Sequence, residues 1–146
     1  MLFAYGTLQD PDILAAVLGR SAAAIKISDA QAPGFDVVYY PGRVYPALVA
    51  APDTTAPGLL VMDLDALDIS MLDAFEGDEY HRQAINVRLA GTMLQAETYL
   101  PVATIPADSP RWSLAHWTMA HKPAVLAGET KTARALRQRL TDHGRR

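Results

Sequence analysis

The chain reads as an α+β protein. A curled or barrel-like sheet of about six or seven short strands carries three or four helices on its outside. Three observations predict this. Strand-like segments cluster in the first hundred of 146 residues, helical segments do not alternate with them regularly, and no internal repeat or low-complexity run divides the chain. Regular alternation would have pointed to a doubly wound parallel sheet instead. The length suits a single domain over residues 1–146, with residues 121–146 as a basic helical tail.

LFAY, Leu2–Tyr5, is a short apolar run and reads as a buried strand. YGTLQ breaks it. Asp10-Pro11 starts a helix, with a carboxylate at the N-cap and proline in the first turn, and Gly19 after Leu18 stops it. AAAIKIS (22–28) and FDVVYY (35–40) read as strands, separated by a turn at AQAPG. PALVA (46–50) and GLLVMDL (58–64) read as strands around the loop APDTTAPG. Asp65 caps a second helix whose Leu67, Met71 and Phe75 fall four apart on one face, ending at Glu76-Gly77. YHRQAINVRL and MLQAETYL alternate around Ala90-Gly91-Thr92 and read as a hairpin. Ser109-Pro110 opens a third helix with Trp112, His116 and Met119 toward one side, and Pro123 interrupts it. A last amphipathic helix, roughly 129–140, turns Ala133, Leu136 and Leu140 inward.

Composition excludes several chemistries. Half the residues are hydrophobic and a fifth charged, as in ordinary folded domains. No cysteine is present, so there is no disulfide framework, thiolate metal site or Cys nucleophile, which fits a reducing, cytoplasmic setting. MLFAYGTL has no basic n-region or long apolar run, so no signal peptide is expected, and no stretch approaches the ~20 apolar residues of a membrane span. The net charge of −3 hides an asymmetry: residues 111–146 hold eight Lys/Arg against two acids, residues 1–110 five against fourteen. A basic helix is one route to nucleic acid, but no aromatic stacking pattern accompanies it. The tail reads as a solvated helix face, and nothing points to an oligomeric state.

The four histidines are His81, His116, His121 and His143. His116 and His121 are five apart, off a common helical face, so no metal site is expected. Nucleotide loops of the Gly-x-Gly-x-x-Gly or Walker type are missing, as is a Gly-x-Ser-x-Gly elbow.

Two segments remain as candidates for chemistry. Tyr5-Gly6-Thr7-Leu8 joins a strand to a helix start, where backbone N–H groups are free and glycine admits a ligand to the main chain. Such a loop suits a carboxylate or a developing oxyanion, and it is equally an ordinary strand-to-helix turn. LDAFEGDEYHR packs Asp73, Glu76, Asp78 and Glu79 into seven residues. Glu76 falls at the negative end of its helix dipole, with acids on both sides and Phe75 as an apolar wall. Each influence raises a carboxyl's pKa toward the range a general acid or base needs. An exposed, unperturbed glutamate is the alternative, and the other three acids read as surface or capping residues. Tyr39, Tyr40, Tyr45, Tyr80 and Tyr99 lie in or beside strands, from which several can reach one cavity.

Together these pieces resemble the γ-glutamylcyclotransferase-like superfamily, which includes γ-glutamylamine cyclotransferases and avirulence-induced plant proteins. LFAYGTL resembles its opening strand and Y-G-[ST]-L loop, VYPALV a mid-chain strand, and GLLVMDL followed by LDAFEGDEYHR the run into its LD-x-FEG-x-x-Y-x-R signature. AETYLP and the segment from Trp112 to Met119 resemble later elements, so the likeness covers most of residues 1–120. The resemblance implies a small mixed β-barrel flanked by helices. It implies conversion of a γ-glutamyl amide to 5-oxoproline and a free amine, a transferase- or lyase-type intramolecular amide cleavage. Glu76 would be the base, with Tyr5, Gly6, Thr7 and Leu8 holding the substrate and Tyr80 and Tyr99 beside it. No cofactor or metal is implied, because attacker and target are tethered. The partner would be a small γ-glutamyl molecule. A non-catalytic binding module on the same fold, or a hydrolase of a small amide, is the alternative.

Overall fold

The computed structural model describes residues 1–144. Arg145 and Arg146 of the expected basic tail lie outside the described residues. The elements run β1 (Leu2–Ala4), α1 (Pro11–Leu18), β2 (Ile27–Tyr39), β3 (Pro46–Val61), α2 (Ala66–Glu76), β4 (Tyr80–Leu89), β5 (Thr92–Pro101), α3 (Leu114–Ala120) and α4 (Lys122–Gly144). The strands curve into a ring in the order β1-β3-β2-β4-β5. Neighbours are antiparallel except β1 and β5, which are parallel at Leu2–Glu97, so the sheet is mixed. The fold class is the expected α+β arrangement.

The strands number five among the described residues, not six or seven, because two expected turns are strand. β2 and β3 pair in two runs, from Ile27–Val61 to Pro33–Thr55 and from Phe35–Ala50 to Tyr39–Pro46. AQAPG lies opposite the end of APDTTAPG, with Gln31 facing Pro57 and Pro33 facing Thr55. The breaker residues of one strand meet those of the other, and a register shift between Pro33 and Phe35 absorbs the irregularity. The start of AAAIKIS is a 3₁₀ turn over Ala22–Ala24, and strand begins only at Ile27. The β4–β5 hairpin forms as expected, with Ala90 and Gly91 both at positive φ (49° and 82°).

α1 and α2 also follow their sequence signals. Asp10 accepts from the N–H groups of Asp12 and Ile13, and Gly19 ends α1 in the left-handed region. Asp65 and Asp68 form a capping box on α2, and buried Asp68 also accepts from Arg20 at 2.8 Å. The third helix departs from expectation. It starts after Ser113, whose hydroxyl caps it, while Arg111 and Trp112 extend along β2. Its inward residue is Trp117, fully buried, whereas His116 and Met119 face solvent. The expected interruption at Pro123 is present: α3 ends at Ala120, and Pro123 stands in the first turn of a separate α4, where its missing N–H leaves no bond unmade.

α4 lies along α1. Lys122 pairs with Asp10 (3.0 Å) and Asp12 (2.7 Å), and Arg137 donates to the carbonyl of Leu18 at the other end of α1. Two cations of the basic tail are thus used in docking it. Ala133 is buried, and Leu136 and Leu140 pack on the core as expected. Among the described residues no helix is long and apolar enough to cross a membrane.

Candidate functional site

Both sequence candidates arrive at the same end of the ring. β1 delivers Tyr5 and Gly6, after which a single 3₁₀ turn (Thr7–Gln9) leads into α1. α2 delivers Glu76 at its last position. Gly77 follows with φ 70°, a geometry suited to glycine, and reverses the chain toward β4. β4 and β5 then bring Tyr80 and Tyr99 to the same place.

Two adjoining cavities result. The inner one is narrow, with about 30 Å³ of free volume, and is lined by Tyr5, Gly6, Thr7, Leu8, Glu76, Tyr80 and Tyr99 together with Phe3, Ala4, Tyr45 and Pro46. All seven residues expected at a site therefore meet there. The outer hollow is larger, about 430 Å³, and is walled by Val44, Phe75, Trp117, Val125 and Glu129 among others. Thr7, Tyr45, Glu76 and Tyr80 line both, so Glu76 stands at the junction.

Burial drives the Glu76 carboxyl up to about 8. The sequence also suggested that neighbouring acids would repel it, and they do not. Asp73 accepts from Arg82 (3.0 Å) and from the Tyr99 hydroxyl (2.7 Å). Glu79 accepts from Arg43 (3.1 Å) and the Tyr45 hydroxyl. Their charges are neutralised locally, which leaves desolvation as the cause at Glu76.

The tyrosines form the walls and brace one another. The Tyr5 hydroxyl donates to the carbonyl of Tyr99 at 2.5 Å, and the Tyr80 hydroxyl donates to the carbonyl of Pro46. Rings of Tyr40, Tyr45 and Tyr80 pack 5.6–6.2 Å apart. Burial raises Tyr5, Tyr80 and Tyr99 well above the usual phenol range and Tyr45 to about 12, so these hydroxyls stay protonated near neutrality. Trp112 supports the mouth by donating to the Val44 carbonyl at 3.0 Å. Of the tyrosines singled out from sequence, Tyr39 and Tyr40 do not line either cavity.

The loop differs from expectation in one respect. The N–H groups of Asp12 and Ile13 in α1 are already taken by Asp10, so α1 does not offer them to a ligand. Gly6, Thr7 and Leu8 line the cavity, and the 3₁₀ turn's own bonds begin only at Gln9 N–H to Gly6 C=O and Asp10 N–H to Thr7 C=O (both 3.0 Å). Gly6, Thr7 and Leu8 precede those bonds. A β-carbon on Gly6 would come within 2.8 Å of Pro46, so the glycine also lets two walls close on each other.

Sequence reasoning missed Pro46, Phe3 and Ala4 of the inner wall and the whole outer wall from α3 and α4. Tyr45-Pro46 lay within the YPALV motif, which was the available signal. Nothing in the sequence marked Val125 or Glu129. His116 and His121 come closer than their spacing suggested, with ring centroids 5.9 Å apart, because His121 leaves the helix at its C-cap. Among the described residues no third His, Cys, Asp or Glu joins them.

Comparison with known proteins places this geometry in context. A model of the family described as Gamma-glutamyl cyclotransferase, AIG2-like matches residues 2–119. AIG2-like protein A of Arabidopsis thaliana is 29% identical over 128 residues, covering 86% of this chain and 76% of the relative. AIG2-like protein C of the same plant is 36% identical over 103 residues, 68% of this chain and 57% of the relative. A solution structure from Arabidopsis thaliana aligns with a TM-score of 0.65 at 28% identity, covering 87% of this chain and 85% of that one. The crystal structure of an AIG2-like protein from Mus musculus shares the fold, with a TM-score of 0.54 at 21% identity over 75% of this chain and 83% of that one.

Proposed function

The chain belongs to the gamma-glutamyl cyclotransferase, AIG2-like family, and from that membership we propose that it converts a γ-glutamyl amide to 5-oxoproline and a free amine, with Glu76 as the base. One observation carries the proposal. A carboxyl with no side-chain partner among the described residues, raised to about 8 by burial, sits beside the Tyr5–Leu8 loop at the junction of two cavities.

The raised pKa suits the proton that must move. The substrate's α-amine is an ammonium in water and must lose a proton before it can attack. The substrate's amine neighbours a free α-carboxylate, which holds its ammonium above the ~8 of a chain N-terminus, so an ordinary carboxylate at 4.5 would face an uphill transfer of more than about 5 kcal/mol. A carboxyl held near 8 removes most of that gap. The arriving ammonium also favours the ionised form of Glu76 by direct attraction.

The steps then balance. Ionised Glu76 takes a proton from the α-ammonium, and the freed nitrogen attacks the γ-carbonyl carbon to close the five-membered ring. The carbonyl oxygen becomes an oxyanion beside Thr7 and its neighbours, where preorganised N–H donors are worth most. Glu76 gives its proton to the departing nitrogen as the C–N bond breaks, then takes the second proton of the ring nitrogen and passes it to the freed amine, which leaves a neutral lactam, an ammonium and an ionised Glu76. In this reading the narrow inner cavity takes the α-carboxylate against the Tyr5–Leu8 loop, and the leaving amine lies in the outer hollow. Tethering supplies much of the rate, so a single base and a set of donors suffice without a cofactor.

Incubation with γ-glutamyl amines, with 5-oxoproline and free amine measured by mass spectrometry, tests the reading. Stoichiometric release of both is expected. Binding without release would favour a non-catalytic module on the same fold. Glutamate in place of 5-oxoproline would mean hydrolysis.

A further inference from the structure

The last turn of α2 carries two acids three residues apart, Asp73 and Glu76, a spacing that sets like charges side by side on a helix. Left alone, Asp73 would repel a charge on Glu76 and favour its protonated form. The β4–β5 hairpin supplies the counter-charge. Arg82 and Tyr99 stand directly opposite each other in its ladder. Both reach the Asp73 carboxylate, the guanidinium at 3.0 and 3.4 Å and the hydroxyl at 2.7 Å. Arg82 also donates to Glu97 on β5. Burial and the bond to Asp73 keep the Tyr99 hydroxyl protonated, and it feels the charges of Glu76 and Arg82 as well. Asp73, Glu76 and Arg82 therefore lie within electrostatic reach of one point on the wall of the inner cavity.

The other groups around Glu76 do not take the place of Arg82. Tyr5, Tyr45, Tyr80 and Tyr99 stay neutral near pH 7. Glu79 has its own cation in Arg43, Asp78 is exposed, and Glu129 stands across the outer hollow on α4. The Arg20–Asp68 pair belongs to the first turn of α2. Among the described residues no Lys, Arg or His lines either cavity. Arg82 is the cation set against the acid that precedes Glu76 on its own helix.

We propose that Arg82, which lines neither cavity, is a positioning residue for the proton transfer: it neutralises Asp73 from behind the wall and so lets Glu76 ionise near neutral pH. The kinetic side of this inference rests on the cyclotransferase reading, in which Glu76 is the base, and the electrostatic side does not. The signs follow from the charges. Removing Arg82 leaves Asp73 a bare anion, which favours protonated Glu76 and moves its titration midpoint up. Removing the charge of Asp73 leaves Arg82 as a cation shared only with Glu97, which moves the midpoint down. Arg82 and Asp73 are partly exposed, so both shifts should shrink as ionic strength rises.

With the glutamate carboxyl carbons isotope-labelled, NMR follows the chain's four glutamates separately, and the signal lost in Glu76→Gln belongs to Glu76. Arg82→Gln should move the Glu76 midpoint up by about 0.5–1 pH unit, the low end of a like-charge effect because the pair is partly exposed. In that variant kcat/KM at pH 7 for a γ-glutamyl amine should fall about three- to tenfold, with its acid limb displaced by the same amount. Arg82→Lys should keep both near the parent values. Asp73→Asn should move the midpoint down, and combining it with Arg82→Gln should bring the midpoint back toward the parent's. A merely structural Arg82 would lower Tm in Arg82→Gln without moving the midpoint. That result, or an upward shift that Asp73→Asn does not reduce, overturns the proposal. If Arg82→Gln does not fold, Asp73→Asn decides alone, and a midpoint at or above the parent's refutes the coupling. If no γ-glutamyl amide yields 5-oxoproline, the cyclotransferase reading fails, and the NMR titrations still judge Arg82 by the same shifts.

Discussion

Glu76→Gln keeps the shape of the side chain and removes its charge, and both consequences can be worked out from the cavity. In the folded chain the carboxyl titrates at about 8 against an ordinary 4.5. That difference corresponds to about 5 kcal/mol. The sign follows from proton counting. Below 4.5 the group is protonated in folded and unfolded chains alike and contributes nothing. As pH rises past 4.5 the unfolded chain releases its proton while the folded chain retains it, so stability falls. The loss is complete once pH passes the folded value near 8. Glutamine has no such term. Urea denaturation at pH 5, 7 and 9 should therefore show parent and variant drawing apart, with the variant gaining a few kcal/mol by pH 9, up to about 5. Turnover should fall by about 10²–10⁴-fold, the usual contribution of a general base. A stability gap that stays constant with pH would refute the buried-carboxyl argument. Near-parental turnover would refute the base assignment, whatever the stability data show.

Other outcomes follow from the same geometry. In the parent, kcat/KM should climb with pH up to about 8 as Glu76 ionises, and a profile levelling near 5 would place the essential base elsewhere. Gly6→Ala should lose about 1–3 kcal/mol along with activity, because its β-carbon meets Pro46 at 2.8 Å; melting beside kinetics checks this, and an unchanged Tm would argue against the close contact. Tyr99→Phe should cost about 1 kcal/mol by removing the hydroxyl that Asp73 accepts, with less than tenfold loss of turnover, since the ring stays in the wall; a larger loss would put the hydroxyl in the reaction. N-acetylating the substrate should abolish turnover, and measurable 5-oxoproline from the acetylated compound would rule out internal attack.

What the sequence made legible divides along a physical line. Signals carried by a few adjacent residues survived. Asp10-Pro11, the Asp65 cap, Gly19, Gly77 and the Ala90-Gly91 turn all sit where read, because each acts on backbone within a few residues of itself. The family motifs led to the right family for the same reason, since they are local strings. Signals that depend on a partner strand did not survive. AQAPG and the end of APDTTAPG each look like turns alone, and their mutual pairing makes them strand. The outer wall was illegible for a related reason. Val125 and Glu129 reach the hollow because α4 docks along α1 through Lys122 and Arg137, and no spacing within α4 encodes that.

The segment LDAFEGDEYHR puts four acids in seven residues, and from sequence they differ mainly in position. Folding gives each a different electrostatic fate. Asp73 is tied to Arg82 and Tyr99, Asp78 goes to solvent, and Glu79 is tied to Tyr45 and Arg43. Glu76, half-buried at the junction of the two cavities, has no side-chain partner among the described residues. Glu79 and Glu76 are three residues apart, and the fold pushes their pKa values in opposite directions. The Tyr45 hydroxyl and Arg43 hold Glu79 below the usual carboxylate range, while burial lifts Glu76 to about 8. A pair separated in this way identifies which carboxyl can exchange protons near neutrality and which is fixed as an anion. Glu79 in turn anchors Tyr45, whose ring lines both cavities. The acid with partners therefore builds the wall, and the one without is left to move the proton.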